Sequence, residues 1–294
     1  MTTVRELLMD KKFCPFYFQF DFARVISGEE EAAYAWAAAN YLYGTLLPSI
    51  HGSGAVNKPL NGTFGTVDLG GASTQIAFFV PSQDISEGLF KLQIGSQRHW
   101  NIYAKSFLKY GHNSARERHF AAIAERSVKS SDDEYSRDAE DDCLFSGYSE
   151  SLSPSQTGHN RVVVISGPAE PREDQFDRCS AAVQTLLNKR LNEFCNTVYD
   201  NECSMDGFYQ PKLPSVDQGH FIGSATYKYP WKFLKMPDYG SLEMFKSRAR
   251  IICSMTYNEI LTYNDNLKTE LKRDWMLPYY CFLSTYISVM LEGA

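Results

Sequence analysis

The 294-residue sequence lacks several features that would place it in a simple class. No apolar run approaches the roughly 18 residues that a membrane-spanning helix needs, so no segment of this chain is expected to cross a bilayer. There is no basic cluster and the net charge is −6, so nucleic acid is not an expected partner. No CxxC pair and no cysteine–histidine spacing of a zinc site occurs, which argues against a structural zinc.

Cysteine is present, however, and its distribution bears on the compartment. Four of the seven cysteines lie between Cys143 and Cys203 on a loop-rich stretch, which favours disulfide bonds and a secretory or extracellular location. A glycosylation sequon at Asn61 agrees with this. Residues 1–12 nevertheless contain no apolar signal-peptide core. Two alternatives stay open: the cysteines remain reduced, or the natural N-terminus lies upstream.

Residues 62–75, GTFGTVDLGGASTQ, are the most informative stretch. The β-branched residues of 63–67 and the apolar residues of 75–80 predict two strands joined by a turn at Gly70 and Gly71. One interpretation is a plain hairpin. The other is an anion-binding loop, because glycines expose backbone N–H groups and the strand also ends at a carboxylate, Asp68.

The rest of the chain predicts a mixed α/β fold. Hydrophobic periodicity predicts helices over 4–9, 29–47, 114–126, 174–191, 242–262 and 266–292. It predicts strands over 13–26, 89–94, 100–108, 161–166 and 221–229. The polar stretch 129–160 reads as a solvated surface loop rather than an acidic metal site.

The helix predicted over 29–47 begins with three glutamates, Glu29, Glu30 and Glu31. Acidic residues in a first turn complement the helix dipole, which is one sufficient reason for their presence. Trp36 and Asn40 fall on the apolar stripe of the same helix, and Asn40 is unusual for a face that only packs.

Two of these stretches resemble signature regions of the apyrase family, the ecto-nucleoside triphosphate diphosphohydrolases. They are DLGGASTQ at 68–75 and ARVISGEEEAAYAWAAANYLYG at 23–44. Further matches follow in family order: IYAKSFLKYG, Cys143 with GY, CSMDGFYQPKLP, FIGSATYKY and YYCFLSTYISVMLEG. The resemblance covers nearly the whole chain and favours this family over an actin-like kinase or chaperone ATPase.

The resemblance implies an α/β lobe of the actin-like, ribonuclease-H-like fold, with a mixed sheet flanked by helices and a loop-rich, cysteine-bearing insertion. The family's earlier Asp-Ala-Gly-Ser-Ser phosphate loop, its second Gly-rich segment and its Trp-containing signature have no counterpart here. We therefore expect residues 27–294 to form the second of two lobes, with 129–215 as an acidic and cysteine-bearing excursion. Residues 1–26 are expected to be the end of the first lobe or a linking strand.

The family hydrolyses the terminal phosphates of nucleoside tri- and diphosphates with Ca²⁺ or Mg²⁺. By resemblance, Glu31 is the general base, and Ser73 and Gln75 orient the attacking water. Asp68 holds the cation through water, and Trp36 and Asn40 support the helix that carries the base.

The same resemblance implies which groups bind the nucleotide. The phosphate lies against the turn formed by Gly70, Gly71, Ala72, Ser73 and Thr74. Either Tyr227 or Tyr229 stacks on the nucleobase, where the family has an SAFYY-like strand and this chain has SATYKY. An alternative function is a catalytically impaired, truncated family member that binds nucleotide weakly or binds a partner.

The resemblance also bears on the cysteines and on location. Cys143, Cys179, Cys195 and Cys203 can pair in three ways, and Cys14 is expected to be free. Cys281 is expected to lack a partner within this chain. The full-length form is expected in the secretory pathway, extracellular or membrane-associated, although this chain carries no membrane segment and no signal peptide.

Overall fold

The computed structural model describes residues 2–46, 62–81, 85–94, 98–129, 137–157, 162–187, 202–213, 220–267 and 274–293. The sequon residue Asn61, residues 130–136 and Cys195 lie outside these ranges. Within them the chain is mixed α/β, as predicted.

In the described residues, four consecutive strands follow the first two helices, and the last four helices follow the final strand. The helices are α1 (Thr2–Met9), α2 (Gly28–Leu42), α3 (His112–Lys129), α4 (Pro154–Thr157), α5 (Gln175–Gln184), α6 (Lys228–Phe233), α7 (Leu242–Cys253), α8 (Tyr257–Asp265) and α9 (Tyr280–Gly293). The strands are β1 (Gly65–Leu69), β2 (Ser73–Phe79), β3 (Leu89–Ile94), β4 (Arg98–Leu108), β5 (Arg137–Glu140), β6 (Ser149–Leu152), β7 (Val163–Ser166) and β8 (Phe221–Ala225).

A five-stranded sheet in the order β3-β4-β2-β1-β8 is the centre of the fold. The strands β3, β4, β2 and β1 are antiparallel neighbours, and β8 returns to pair with β1 in parallel. This mixed sheet with flanking helices confirms the predicted fold class.

Helix α2 begins at a capping box, which explains its sharp start. The Ser27 side chain accepts a hydrogen bond from the Glu30 backbone, and the Glu30 side chain accepts one from the Ser27 backbone. Arg24 adds an ion pair to Glu30 at 2.7 Å. The hydrogen bonds from Arg24 and from the Ser27 backbone lower the pKa of Glu30 to about 2. Glu30 therefore serves in the N-terminal capping box of α2.

The two faces of the central sheet are covered differently. Alanines and Trp36 of α2 pack on one face against Ala77, Ile102 and Ala104. The other face packs on the main core, to which α5, α7 and α9 contribute. Small side chains on the first face bring α2 close to the strands.

A second sheet, in the order β5-β7-β6, lies beside α3. Leu144, Phe145 and Leu152 are fully buried there. The predicted solvated loop over 129–160 is therefore wrong for the described part of that segment. A strand such as β6 is difficult to recognise from sequence, because its solvent-facing alternate residues are polar and give the segment the composition of a loop.

Two predicted strands are corrected. None of residues 13–26 forms a strand; the segment contains bends and a short 3₁₀ helix at Phe20–Phe22. None of residues 2–26 is buried, and no described strand pairs with this aromatic segment. The strand predicted over 221–229 ends at Ala225, which has a positive φ of 52°, and α6 follows. The lobe boundaries proposed for 1–26 and 27–294 stay predictions.

One disulfide bond ties α5 to the turn after β5, and another joins α7 to α9. Cys143 pairs with Cys179, one of the possible pairings, and Cys14 is free as expected. Cys203 is also disulfide-bonded. The expectation that Cys281 lacks a partner is wrong, because α7 and α9 pack together and place Cys253 beside it.

In the part of the chain that is described, no helix has both the length and the apolar character required to cross a bilayer.

Candidate active site

A row of polar side chains crosses four strands of the central sheet. The strand registers place Ser224 opposite Asp68, Asp68 opposite Gln75, and Gln75 opposite Ser106. Residues in direct register project from the same face of a sheet. This is the face that α2 covers, because Ala77 and Ala104, two residues along β2 and β4, pack on α2.

Glu31 reaches this row from the first turn of α2. Gln75 Nε2 donates to Glu31 Oε2 at 3.0 Å and lies 2.9 Å from Ser73 Oγ. The three residues that the sequence predicts to hold the attacking water thus meet in one place, although Glu31 and Gln75 are 44 positions apart. Gln75 is buried, whereas Glu31 is exposed. Among the described residues, none donates a hydrogen bond to the other carboxylate oxygen of Glu31.

Asp68 occupies the next position along the row. Ser224 Oγ donates to Asp68 Oδ2 at 2.5 Å, and Thr74 Oγ1 donates to the Asp68 carbonyl at 2.6 Å. The carboxylate is partly buried and is held on one oxygen only, by a described residue. Its other oxygen remains available to a ligand.

The turn between β1 and β2 is held from behind by α3. His112 N–H donates to Gly70 O at 2.9 Å, and Asn113 N–H donates to Gly71 O at 3.0 Å. Lys109 N–H donates to Ala72 O at 2.8 Å. The carbonyl groups of the turn therefore point towards α3 and its preceding loop.

The N–H groups of the turn divide into used and unused donors. Gly70 N–H donates to Ser73 O at 3.0 Å, so this predicted phosphate donor is already engaged. The N–H groups of Gly71 and Ala72 donate to no described residue. These two groups, with the Ser73 hydroxyl, form the anion-binding capacity of the turn.

Gly111 explains how the turn and α3 approach so closely. A Cβ atom at position 111 would overlap the backbone of Gly71, Ala72 and Ser73. Only glycine fits between the helix and the turn at this point.

Trp36 and Asn40 fix α2 to the sheet. Trp36 is fully buried and its ring lies 5.9 Å from that of Trp100. Asn40 is also fully buried; its Nδ2 donates to Phe64 O at 2.9 Å, and Phe64 N–H donates to its Oδ1 at 2.7 Å. Asn40 thus ties α2 to the residue that precedes β1.

Neither of the two tyrosines lies on a strand. Both Tyr227 and Tyr229 pack against the main core as partly buried side chains. Burial, with the nearby Asp68 carboxylate, raises the pKa of Tyr227 above its usual value. A contact of either ring with a nucleobase stays a prediction.

The oxygen donors of this site fit a hard divalent cation. Carboxylate oxygens are preferred ligands of Ca²⁺ and Mg²⁺, and Asp68 offers one. A second cluster, His119 with Asp141 and Cys143, is the one group of three potential ligands found among the described residues. Cys143 is in a disulfide and His119 Nε2 bonds Asp141 at 2.9 Å, so this cluster is structural.

Sequence reasoning missed Ser106 and Ser224. Both lie in stretches that match the family, but they become site residues only through strand register, since each sits opposite a predicted site residue. The alternation of β4, with Ala104 and Ser106 on one face, was the available signal.

Comparison with known proteins gives the family of this chain. The model of the GDA1/CD39 (nucleoside phosphatase) family matches residues 2–294. Ectonucleoside triphosphate diphosphohydrolase 3 of Mus musculus is 28% identical over 99% of this chain and 53% of the relative. The Golgi apyrase of Saccharomyces cerevisiae is 26% identical over 92% of this chain and 42% of the relative.

A nucleoside triphosphate hydrolase structure from Neospora caninum shares the fold. Its TM-score is 0.52 at 16% identity, over 96% of this chain and 60% of that one. The chain spans about half the length of the curated relatives that it matches. With a family model that matches residues 2–294, the chain belongs to the GDA1/CD39 (nucleoside phosphatase) family.

Proposed function

We propose that this chain supplies the water-activating side of a site that hydrolyses the terminal phosphates of nucleoside tri- and diphosphates. The observation that carries the proposal is the 3.0 Å hydrogen bond from Gln75 Nε2 to Glu31 Oε2, with Asp68 in register beside Gln75. The family membership and the printed names of the relatives support the substrate class.

Glu31 acts as the general base. Its carboxylate is held on one oxygen by Gln75, which leaves the other oxygen to accept a proton from water. The Gln75 amide oxygen is a second acceptor that bonds no described donor and can orient the same water. In-line displacement needs an oriented water more than it needs a strong base, and the buried amide provides that orientation.

The turn after β1 receives the phosphate that is attacked. The N–H groups of Gly71 and Ala72 and the hydroxyl of Ser73 donate to its oxygens. Gly70 contributes only through the shape of the turn, since its N–H is engaged by Ser73 O. Thr74 holds the strand end through Asp68 O.

Asp68 would hold Ca²⁺ or Mg²⁺, through water, and a cation held there would supply positive charge against the phosphate oxygens. Ser224 fixes one oxygen of that carboxylate, so the other is presented in a single orientation. The disulfide bonds and the names of the relatives support a location in the secretory pathway, outside the cell or at a membrane.

The test is release of inorganic phosphate from ATP and from ADP, with Ca²⁺, with Mg²⁺ and with EDTA. We expect release that requires the cation and that Glu31→Ala abolishes. Glu29→Ala is the matched control, since it removes a carboxylate from the same helical turn, and it should retain the rate. Equal rates for Glu31→Ala and the unmodified chain would show that Glu31 is not the base.

A further inference from the structure

Ser106 lies where α2 meets the sheet, beside the proposed base. Its Oγ is 3.4 Å from Gln75 Nε2. Gly28, the first residue of α2, lies directly over this side chain: a Cβ atom at position 28 would overlap both Oγ and Cβ of Ser106. The backbone of the first turn of α2 therefore rests on the serine.

The Gln75 amide has more acceptors than it can serve. Its nitrogen carries two N–H groups and has three oxygen neighbours, on Glu31, Ser73 and Ser106. One N–H is directed to the Glu31 carboxylate, so the two hydroxyls share the other.

Gly28 and Glu31 are coupled through the helix. Residues three apart lie on the same helical face, so the distance of Gly28 from the sheet also determines the distance of Glu31 from Gln75. That distance is determined by the contact of Gly28, which has no side chain, with Oγ and Cβ of Ser106.

We propose that Gly28 and Ser106 form a spacer contact that sets the Glu31–Gln75 separation, and that Ser106 is a positioning residue for hydrolysis. The spacer contact stands on geometry alone, whereas its catalytic consequence rests on the proposed function. The two parts are tested by different readouts.

The first readout is the ¹⁵N resonance of the Gln75 side-chain amide, identified by its loss in Gln75→Met. When Glu31→Gln is the only substitution, this resonance should shift, because the charged Oε2 of Glu31 lies 3.0 Å from Gln75 Nε2 and the substitution removes that charge. We expect Gly28→Ala to diminish that Glu31-dependent shift, since the added methyl lifts the first turn of α2. Gly28→Ala/Ser106→Gly should restore it, because Ser106→Gly removes both overlapping atoms and leaves Cα 4.0 Å away.

Ser151→Gly is the matched control for placing glycine in a strand, since Ser151 is exposed on β6. It should leave the Gln75 resonance unchanged. If Gly28→Ala retains the full shift, or if the double variant fails to fold or to regain the shift, the spacer contact is refuted. Should Gly28→Ala itself not fold, recovery of the folded state and the shift in the double variant supports the contact.

The second readout is steady-state phosphate release. A misplacement of about 1 Å can cost on the order of 10²-fold in rate. We therefore expect Gly28→Ala to lower kcat by about that factor with little change in KM, and the double variant to recover most of the loss. Restored resonances with kcat equal in all variants would keep the spacer contact and overturn its role in hydrolysis.

Discussion

Asn40→Ala tests how α2 is held on the sheet. The side chain is fully buried, and it is the partner of both Phe64 N–H and Phe64 O, at 2.7 and 2.9 Å. Removing it leaves two buried backbone groups unsatisfied, each at about 1–3 kcal/mol, so the free energy of unfolding should fall by about 2–6 kcal/mol. Thr45 keeps one acceptor, the Asn40 carbonyl at 3.0 Å, and adds little to the loss.

The assay is urea denaturation, read as a change in midpoint at constant slope. Asn258→Ala is the matched control, because Asn258 is exposed on α8, and surface substitutions of this kind usually change stability by less than about 0.5 kcal/mol. If Asn40→Ala lowered the free energy of unfolding by less than about 1 kcal/mol, the reasoning would be refuted, because neither the N–H nor the carbonyl of Phe64 could then depend on the Asn40 side chain for its hydrogen bond.

Three further predictions concern the loop behind the site, the helix cap and a disulfide. Gly111→Ala should lower the free energy of unfolding by about 1–3 kcal/mol and slow phosphate release, because the added methyl overlaps the backbone of the turn at Gly71. Thermal unfolding and the phosphate assay test this prediction, and an unchanged melting temperature would contradict it. Arg24 and the Ser27 N–H lower the pKa of Glu30 from 4.5 to about 2, so the stability that Glu30 contributes is present above pH 4.5 and is lost as the pH falls towards 2. The free energy of unfolding of the unmodified chain and that of Glu30→Gln, measured by urea titration at each pH, should therefore converge over this interval; a constant difference would contradict the prediction. Cys253→Ser should reduce the free energy of unfolding by about 3–4 kcal/mol, from the chain entropy of a loop of 28 residues, and a matched substitution at the free Cys14 should not.

Sequence alone predicted the elements whose pattern is local. The hairpin around Gly70, the strand at Leu89–Ile94 and the Ala-rich helix α2 depend on turn residues, alternation and helical period, and each is present. A strand, in contrast, is defined by its partner. The aromatic segment 13–26 has the composition of a strand but no described strand pairs with it, whereas the short polar strand β6 is paired on β7.

The site followed the same division. Residue identity and family resemblance suggested Glu31, Ser73, Gln75 and Asp68, but register alone shows that Asp68 and Gln75 are direct neighbours with Ser224 and Ser106 on either side. The partner of Cys281 likewise depends on how α7 packs on α9, which no spacing of cysteines discloses.

The most direct test of the central claim is a double-mutant cycle on phosphate release with Glu31→Gln and Gln75→Ala. If Glu31 and Gln75 act on one water, each single variant lowers the rate, Glu31→Gln by about 10²–10⁴-fold, and the double variant is no slower than Glu31→Gln alone. Rates that multiply in the double variant, or a Glu31→Gln variant as fast as the unmodified chain, would contradict the account.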